Sequence, residues 1–402
     1  MTIPWNPRKT KRREGHLSNI LFAESCRTIM SDEEKQELVK QLKCVNKPAI
    51  KSFQTDHGDI LDCILLHNQL AFDHPLLKNR SVQMRPATIP EWITDNNNTS
   101  QKSGFLKFLQ GGISCPNGTV IVKRTTMQDL IHAKCLKSMG LNYPRYVPSK
   151  GKNIDVAGHH FAVTEYRYLN YGAKGNLNIW DPEVLADQFS LSCLSIAGGP
   201  KAQLNSISAG WIVNPWLYLG HSRLYTYWTA DGFKKTGCFS TQCPGFVQVS
   251  SKIPLGILIK PVSSYGGRQF EIDISMHQDR ATGDWWLVLN DEYIGYWPKS
   301  LFTASGLAEG ASFVSWGGEV YSPVTEKSPS MGSGHFPDEG FRKAAYVNGL
   351  KVIASTGQAI TPTSYSLKTF SDSPKCYRAE YKPAYGEWSS GIFYGGPGGC
   401  TF

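Results

Sequence analysis

Two short stretches are the most specific signals in this sequence: Leu204-Asn-Ser-Ile-Ser-Ala-Gly-Trp211 and Trp316-Gly-Gly-Glu-Val320. In the second stretch, Glu319 follows two glycines, which permit tight backbone turning and the close approach of a bound chain. Taken alone, a glutamate after Gly-Gly is more typical of a surface turn than of a catalytic cleft. Its interpretation therefore depends on the elements around it.

The surrounding sequence is typical of short β-strands. Phe270, Ile272, Ile274 and Met276 alternate with polar residues, so one face of a strand is apolar and the other polar. Similar runs are Ala162–Tyr168, Leu224–Trp228 and Trp285–Leu289. The turn signals that separate such runs are Asp231-Gly232, Gly266-Gly267, Asn290-Asp291 and Gly395-Gly396. With 41% hydrophobic and 19% charged residues, the chain is expected to be mainly β, as an antiparallel sandwich or barrel.

Further motifs accompany the two stretches: Tyr227-Trp-Thr229, Cys238, Cys243-Pro-Gly-Phe-Val-Gln248, Gly295-Tyr-Trp-Pro298 and Met331-Gly-Ser-Gly-His-Phe336. Together they resemble the neprosin family of plant glutamic peptidases, over roughly residues 35–400. The resemblance implies an antiparallel β-sandwich peptidase domain preceded by a small α+β activation segment. We place the peptidase domain at residues 151–402, and the activation segment with its linker at residues 31–150.

The resemblance assigns catalysis to two glutamates, of which this chain retains one. The family's first stretch normally reads Ile-Glu-Ala-Gly-Trp, and this chain has Ser208 in place of the glutamate; the second carboxylate is Glu319. A carboxyl pair hydrolyses peptides because one group activates water and the other protonates the leaving amine. A serine hydroxyl is too weakly acidic for either role. Losing one member of such a pair usually costs about 10²–10⁴ in rate.

Two functions follow from these residues. The resemblance implies a glutamic endopeptidase that cleaves on the carboxyl side of proline, with activity impaired or altered because of Ser208. The alternative is a catalytically inactive peptidase-fold protein that binds proline-rich or cell-wall polypeptides. Four aromatic residues are equally suited to line a substrate pocket or to fill the core: Trp211, Tyr227, Trp228 and Trp316. Acids that are candidates to replace the missing carboxylate are Asp181, Glu183, Asp187, Glu271 and Asp273.

The first part of the chain predicts a small mixed unit. Ser31-Asp-Glu-Glu34 is a capping box that begins a helix. Two short strands are expected around Asp56-His-Gly58, and a second helix over Met127–Met139. A linker rich in proline, glycine and lysine follows at residues 143–152, where an accessible basic segment is suited to maturation cleavage.

Positive charge is concentrated before the predicted peptidase domain. Residues 1–150 hold 22 lysines and arginines against 13 aspartates and glutamates, whereas residues 151–402 hold 20 of each. The densest cluster, Arg8–Arg13, lies in residues 1–30, which we predict to be a disordered, solvated terminus. No comparable cluster occurs in the globular part, so no nucleic-acid partner is expected. The expected partners are a polypeptide and the chain's own activation segment.

Ten cysteines and four glycosylation sequons indicate the secretory route. Two pairs are spaced as local loop disulfides, Cys238 with Cys243 and Cys376 with Cys400, and the resemblance implies a third between Cys63 and Cys115. The remaining cysteines, for which no pairing is predicted, are Cys26, Cys44, Cys135 and Cys193. The sequons are at Asn79, Asn97, Asn98 and Asn117.

No apolar signal-peptide core is visible near Met1, and we expect the true start to lie upstream. An extracellular or secretory location is nevertheless predicted from the cysteines and sequons. No run of about 18 apolar residues occurs, so no membrane-spanning helix is expected. No His/Cys/Asp cluster has metal-ligand spacing, and we predict neither a metal nor another cofactor.

Overall fold

The structure is a computed structural model that describes residues 31–94, 113–138, 157–218, 220–386 and 388–401. Two antiparallel β-sheets form a sandwich, and a three-stranded sheet with short helices precedes them along the chain. The prediction of a mainly β sandwich after a small α+β segment is confirmed. The predicted disordered terminus and the predicted boundary near residue 150 lie outside the described ranges.

The described residues of the N-terminal segment form three α-helices and three strands: α1 (Asp32–Val45), β1 (Ala49–Gln54), β2 (Ile60–Leu65), α2 (Glu91–Thr94), β3 (Thr119–Lys123) and α3 (Met127–Ser138). The predicted capping box begins α1. The Ser31 hydroxyl accepts from the Glu34 amide at 3.2 Å, and the Glu34 carboxylate accepts from the Ser31 amide at 2.9 Å. Short 3₁₀ helices follow β2 at Leu66–Asn68, Leu70–Asp73 and Pro75–Leu77.

One face of the sandwich is a seven-stranded sheet with strand order β17-β4-β14-β6-β7-β8-β9. Its strands in chain order are β4 (His159–Tyr166), β6 (Phe189–Gly198), β7 (Asn205–Val213), β8 (Ser222–Thr229), β9 (Cys238–Phe239), β14 (Phe313–Tyr321) and β17 (Leu367–Ser371). A short helix, α4 (Pro215–Tyr218), connects β7 to β8, and a 3₁₀ turn at Lys201–Gln203 connects β6 to β7. Both stretches singled out in the sequence are therefore inner strands of this sheet.

The other face is a nine-stranded sheet with order β10-β13-β12-β11-β5-β15-β19-β18, in which β16 also pairs with β15. Its strands are β5 (Asn170–Asn178), β10 (Val247–Gln248), β11 (Glu271–Gln278), β12 (Trp285–Leu289), β13 (Glu292–Trp297), β15 (Ala345–Ala354), β16 (Ala359–Ile360), β18 (Arg378–Lys382) and β19 (Gly391–Gly395). Two 3₁₀ helices lie in its connections, at Lys299–Leu301 and Pro337–Glu339.

Large aromatic side chains fill the space between the two sheets. Trp211 of β7 and Trp316 of β14 are fully buried there. Each indole donates a hydrogen bond to the opposite sheet, Trp211 to the Asn178 carbonyl at 2.9 Å and Trp316 to the Lys174 carbonyl at 3.1 Å. The predicted apolar face of β11 lies in the same core, through Ile272, Ile274 and Met276. Since side chains alternate along a strand, the neighbours of Trp211 and Trp316 point to the opposite face.

All three predicted disulfides are present, and they join Cys63 to Cys115, Cys238 to Cys243, and Cys376 to Cys400. Among the described residues, Cys44 and Cys193 are free thiols. Two of the sequon asparagines, Asn79 and Asn117, are exposed, while Asn97 and Asn98 lie outside the described ranges. No helix in the described part of the chain is long and apolar enough to cross a membrane.

Candidate active-site groove

The face of the seven-stranded sheet that points away from the core carries the polar residues of the two sequence stretches. On β7, Ile207, Ala209 and Trp211 point into the core. Ser208 and Gly210 therefore lie on the opposite face, called the site face below. Ser208 is 7% exposed. The same alternation on β14 places Glu319 on the site face, because Trp316 and Val320 are in the core.

The strand register aligns three serines across the site face. Ser315 of β14 is opposite Ser195 of β6, which is opposite Ser208 of β7. All three are buried, and they are called the serine row below. Neighbouring strands are about 4.8 Å apart, so the backbones at positions 208 and 315 lie about 10 Å apart across the sheet. Long side chains at these two positions would converge over Ser195.

Glu319 is not level with Ser208. The register places Glu319 opposite Leu191, and Leu191 opposite Ile212, which is four residues beyond Ser208 on β7. At about 3.4 Å per residue, this is an offset of about 14 Å along the strands. Glu319 shares a face with Ser208, as a cleft position requires. The register aligns Ser315 with Ser208, and the assignment of Glu319 and position 208 to one catalytic pair stays a prediction from the resemblance.

Glu319 is instead held by a histidine of the neighbouring strand. Its Oε1 lies 2.8 Å from Nδ1 of His159, and both side chains are almost completely buried. The His159 ring packs against Tyr321, with centroids 4.8 Å apart, and against Phe189 at 5.8 Å. The next residue, His160, points to the other face of the strand, where its Nδ1 lies 2.6 Å from Asp372.

Three of the four predicted substrate-binding aromatics belong to the core. Trp211, Trp228 and Trp316 all contribute to the cluster between the sheets, so the prediction that they line a pocket is corrected by the face on which they lie. Tyr227 is on the site face, directly opposite Ser208 in the register. Its ring packs against Phe239, with centroids 5.0 Å apart. Tyr227 is therefore the one member of the set that flanks the serine row.

Cys193 lies between the serine row and Glu319. The register places it opposite Gly317 on one side and Gly210 on the other, and the side chain of Tyr225 reaches it from beyond Gly210. Its Sγ is 3.3 Å from the Ser195 hydroxyl. Burial raises the pKa of the Cys193 thiol to about 11, and the nearby Glu319 carboxylate acts in the same direction. The thiol is therefore protonated at neutral pH and is a poor nucleophile.

Glu165 is a carboxylate in line with the serine row that was not among the predicted site residues. It lies on β4, directly opposite Ser315, and is 2% exposed. Burial raises the pKa of its carboxyl, while Arg167 opposes that shift. Arg167 holds it through Nε at 2.7 Å. The alternation of β4, with Ala162 in the core, is the sequence signal that identifies this face.

The acids predicted as replacements for the missing carboxylate are not in the serine row. Asp181 precedes β6 and pairs with His221 at 3.0 Å, and Glu183 is exposed. Glu271 and Asp273 belong to the other sheet, where they contact Tyr346 and Lys174. The remaining candidate, Asp187, precedes β6 and interacts with Glu326. Within the described ranges, no group of three or more His, Cys, Asp and Glu residues is arranged to hold a metal ion.

Residues 186–397 match the family model described as Neprosin, and residues 52–165 match the model described as Neprosin activation peptide. The chain belongs to the Neprosin family. This membership places it in a family of glutamic-type peptidases. The Neprosin match spans β6 to β19, and the activation-peptide match extends through β4, an inner strand of the seven-stranded sheet.

Solved structures that match part of this chain include two crystal structures of scytalido-glutamic peptidase with transition-state analogues. One is 8% identical with a TM-score of 0.33, and covers 59% of this chain and 97% of that one. The other is also 8% identical with a TM-score of 0.29, and covers 60% and 98%. A homodimeric agglutinin from chicken liver, CG-16, is 7% identical with a TM-score of 0.23, and covers 40% and 92%.

Proposed function

We propose that this chain is a Neprosin-family peptidase-fold protein that binds extended polypeptides on the site face and hydrolyses them poorly. The serine row carries the proposal. The two positions that face each other across Ser195 are both serine, so no carboxyl pair is available there to activate water and protonate a leaving amine. Family resemblance favours a proline-rich ligand. Tyr227 beside Ser208 is the aromatic residue best placed to contact it.

The second candidate is an active endopeptidase with altered chemistry. It is favoured by family membership and by two buried carboxylates on the site face, Glu165 and Glu319. Burial raises the pKa of Glu165, as a general acid requires, but Arg167 pairs with this carboxylate and opposes the shift. Glu319 is held by His159 instead of facing an open space. Both carboxylates are therefore engaged in structural contacts, and hydrolysis through them is expected to be slow.

The proposal is tested by hydrolysis of a quenched proline-containing peptide from pH 3 to pH 7. Wild type is compared with Ser208→Glu, Ser315→Glu and the double variant. Because positions 208 and 315 are level, the double variant places two carboxyls on either side of Ser195, and we expect it to gain about 10²-fold or more over Ser208→Glu. Ser315→Glu alone lies opposite Glu165 and tests whether a pair with that carboxyl is enough. The double variant with Ser195→Ala is a control for a hydroxyl contribution. Wild-type turnover that Glu319→Gln abolishes would overturn the proposal in favour of the active enzyme.

The secretory pathway is the location that we propose. Three disulfides and the exposed sequons at Asn79 and Asn117 support it, since disulfides persist in oxidising compartments. The test is the electrophoretic mobility of the protein, expressed through the secretory pathway of a eukaryotic cell, before and after glycosidase treatment. A shift that Asn79→Gln and Asn117→Gln together reduce is expected, and protein that accumulates in the cytosol without glycans would contradict it.

A further inference from the structure

One residue on the site face is open to solvent, and it is Cys193. The structure describes all of β4, β6, β7, β8 and β14, the inner strands of the seven-stranded sheet, and every residue of these strands except Cys193 is buried. The residues beside it are glycines, Gly317 on β14 and Gly210 on β7. The next side chains in that row belong to Val163 of β4 and Tyr225 of β8. Cys193 therefore lies at the floor of a depression between these two side chains, called the thiol pocket below.

The two ends of the thiol pocket differ in polarity. Leu191 precedes Cys193 by two residues on the same face of β6, and it belongs with Tyr225 to one buried apolar cluster, against which Cys193 packs. Ser195 lies two residues beyond Cys193 and borders the pocket at the opposite end. At about 3.4 Å per residue, Leu191 and Ser195 are about 14 Å apart along the strand. Once their side chains are allowed for, the space above the sulphur has the length of one small ring.

Two hydroxyl groups beside the thiol pocket have a sulphur atom as their polar neighbour. The Ser195 hydroxyl lies 3.3 Å from Sγ of Cys193. The Tyr225 hydroxyl reaches the same sulphur, and within the described residues this completely buried side chain has no oxygen or nitrogen partner. A thiol is a weak donor and a weak acceptor, whereas buried hydroxyls in proteins are generally paired with oxygen or nitrogen. The pocket thus lacks an oxygen atom that both hydroxyls could use.

The groups that line the thiol pocket are uncharged at neutral pH. Burial raises the pKa of Tyr225 well above its usual value, and the neighbouring Cys193 and Glu319 act in the same direction. The Cys193 thiol is protonated as well, because its pKa is about 11. Glu319 lies two residues from this row, and His159 holds it. The pocket is therefore suited to a neutral ligand group that can both accept and donate a hydrogen bond, and a hydroxyl is such a group.

We propose that the thiol pocket binds the hydroxylated ring of 4-hydroxyproline in a bound polypeptide, in preference to unmodified proline. This inference rests on the proposed function, because it names the chemical class of polypeptide that the site face binds. The ring covers the sulphur and packs against Leu191, and its hydroxyl accepts from Tyr225 and donates to Ser195. A plain proline ring covers the same two hydroxyls and gives them no partner, and burying an unpaired hydroxyl weakens binding.

The size of the preference follows from the hydrogen bonds. A site whose buried polar groups are arranged to bond a ligand hydroxyl discriminates against the analogue that lacks it, because those groups are then left unpaired. A single unpaired buried hydroxyl changes a dissociation constant by about tenfold or more. Since two protein hydroxyls are involved, Ser195 and Tyr225, we expect at least this difference between the two rings.

The test measures the binding of two fluorescent peptides to the full chain by anisotropy at pH 7. One peptide alternates alanine with proline, and the other carries 4-hydroxyproline at every proline position. We expect the dissociation constant of the hydroxylated peptide to be lower by about tenfold or more. Equal constants, or tighter binding of the proline peptide, would overturn the inference and leave the proposed function standing. If neither peptide binds, the proposed function fails and the inference fails with it.

Tyr225→Phe removes one oxygen atom and keeps the ring. It is expected to reduce the preference to less than about threefold by weakening the hydroxylated peptide, with little effect on the proline peptide. Tyr394→Phe is the matched control, because Tyr394 is also completely buried and its hydroxyl has no hydrogen-bond partner among the described residues, but it lies in the core between the sheets. This control is expected to keep the full preference. A full preference in Tyr225→Phe would contradict the role given to its hydroxyl.

Cys193→Met fills the thiol pocket and tests it at a position that is partly exposed. The longer side chain occupies the space of the ring, so we expect the hydroxylated peptide to bind about tenfold more weakly. Cys44→Met, at the exposed free cysteine, is the control and is expected to leave both dissociation constants unchanged. Urea midpoints confirm that each variant is folded. Unchanged binding of the hydroxylated peptide to folded Cys193→Met would show that the ring binds elsewhere.

Discussion

The pair of Glu319 and His159 raises the question of whether a family motif residue is retained for catalysis or for folding. The two side chains meet at 2.8 Å in a nearly inaccessible position. A buried charged group needs a partner, since leaving one side of such a pair unsatisfied is strongly destabilising. The contact therefore gives Glu319 a structural role that is independent of any reaction on the site face.

Replacing Glu319 by alanine is expected to destabilise the fold by about 3 kcal/mol, because His159 loses its buried acceptor. Urea unfolding followed by circular dichroism measures this change. Glu309→Ala removes an exposed glutamate paired with Lys299, and as the matched control it is expected to cost less than about 1 kcal/mol. A variant at position 319 as stable as wild type would remove the structural role and strengthen the catalytic prediction.

The two free thiols of the described residues are expected to react very differently. Burial raises the pKa of Cys193 to about 11, so its reactive thiolate forms in quantity only as pH rises towards that value. Cys44 is exposed. With iodoacetamide at pH 8, we expect rapid labelling of Cys44 and slow labelling of Cys193, as measured by peptide mass spectrometry.

Addition of urea above the unfolding transition is expected to bring the Cys193 labelling rate up to that of Cys44. The Cys44→Ser variant removes the fast labelling of Cys44, so the slow labelling of Cys193 is measured without it. Equal rates for both thiols in the native protein would contradict the assignment of Cys193 as a protonated thiol on the site face.

At the scale of single strands, glycine decides how closely β7 approaches β6. A Cβ atom at Gly210 would lie 1.9 Å from the Ser192 carbonyl oxygen and 2.8 Å from the Cys193 Cα. Both atoms belong to backbone, so no side-chain rotation relieves the overlap. The Ala-Gly-Trp part of the first sequence stretch is therefore required by the packing of the sheet itself.

We expect Gly210→Ala to destabilise the protein by more than about 2 kcal/mol, because the overlap forces two inner strands apart. Thermal or urea unfolding measures the loss. Tyr365→Ala, at a side chain that is 97% exposed, is a control expected to change stability by less than about 0.5 kcal/mol. If Gly210→Ala lowers the free energy of unfolding no more than Tyr365→Ala does, the close approach of β7 to β6 is contradicted.

The strands and caps were predictable from the sequence because their signals are local. The alternation around Ile272 and the capping box at Ser31 each lie within a few neighbouring residues, and both are present. The same local alternation explains why Trp211 and Trp316 lie in the core instead of lining a pocket. Trp211 is three residues from Ser208, and Trp316 is three from Glu319, so each tryptophan had to point to the face opposite its polar partner.

The alignment of the site was not predictable from local signals. Strands β14 and β7 are separated by β6 in the sheet and by about a hundred residues along the chain, and nothing in either stretch states their register. Neither stretch therefore indicated that Ser315 is level with Ser208, or that Glu319 lies about 14 Å further along the strands. Glu165 was overlooked for the same reason, because β4 joins the sheet beside β14 only in three dimensions.

At the scale of the whole molecule, Asp279 links the N-terminal segment to acid stability, because it accepts hydrogen bonds from Gln83, Ala87 and Thr88. Its carboxyl has a pKa of about 2 in the folded protein, below the value of about 3.9 for an unfolded chain. A depressed pKa contributes stability above the unfolded value, and this contribution is lost as pH falls towards 2. The free energy of unfolding of wild type is therefore expected to exceed that of Asp279→Asn by roughly 1–2 kcal/mol at pH 6, after allowance for solvent screening.

That difference is expected to shrink between pH 4 and pH 2, as followed by urea midpoints across the range. Asp338→Asn, at an exposed position, provides the baseline and is expected to show no such trend. A difference between wild type and Asp279→Asn that grows as pH falls would have the wrong sign and would contradict the role given to Asp279.

The serine row has a consequence for how this molecule retains a ligand when its surroundings change. A groove with two carboxyls gains up to two negative charges as pH rises from about 3 to about 6, and its attraction for a peptide changes with them. Hydroxyl groups carry no charge anywhere in that range. The three serines therefore add no charge between acid and neutrality, and a change in the attraction of this face for a polypeptide over that range is expected to come from the carboxyl groups beside them, such as Glu165.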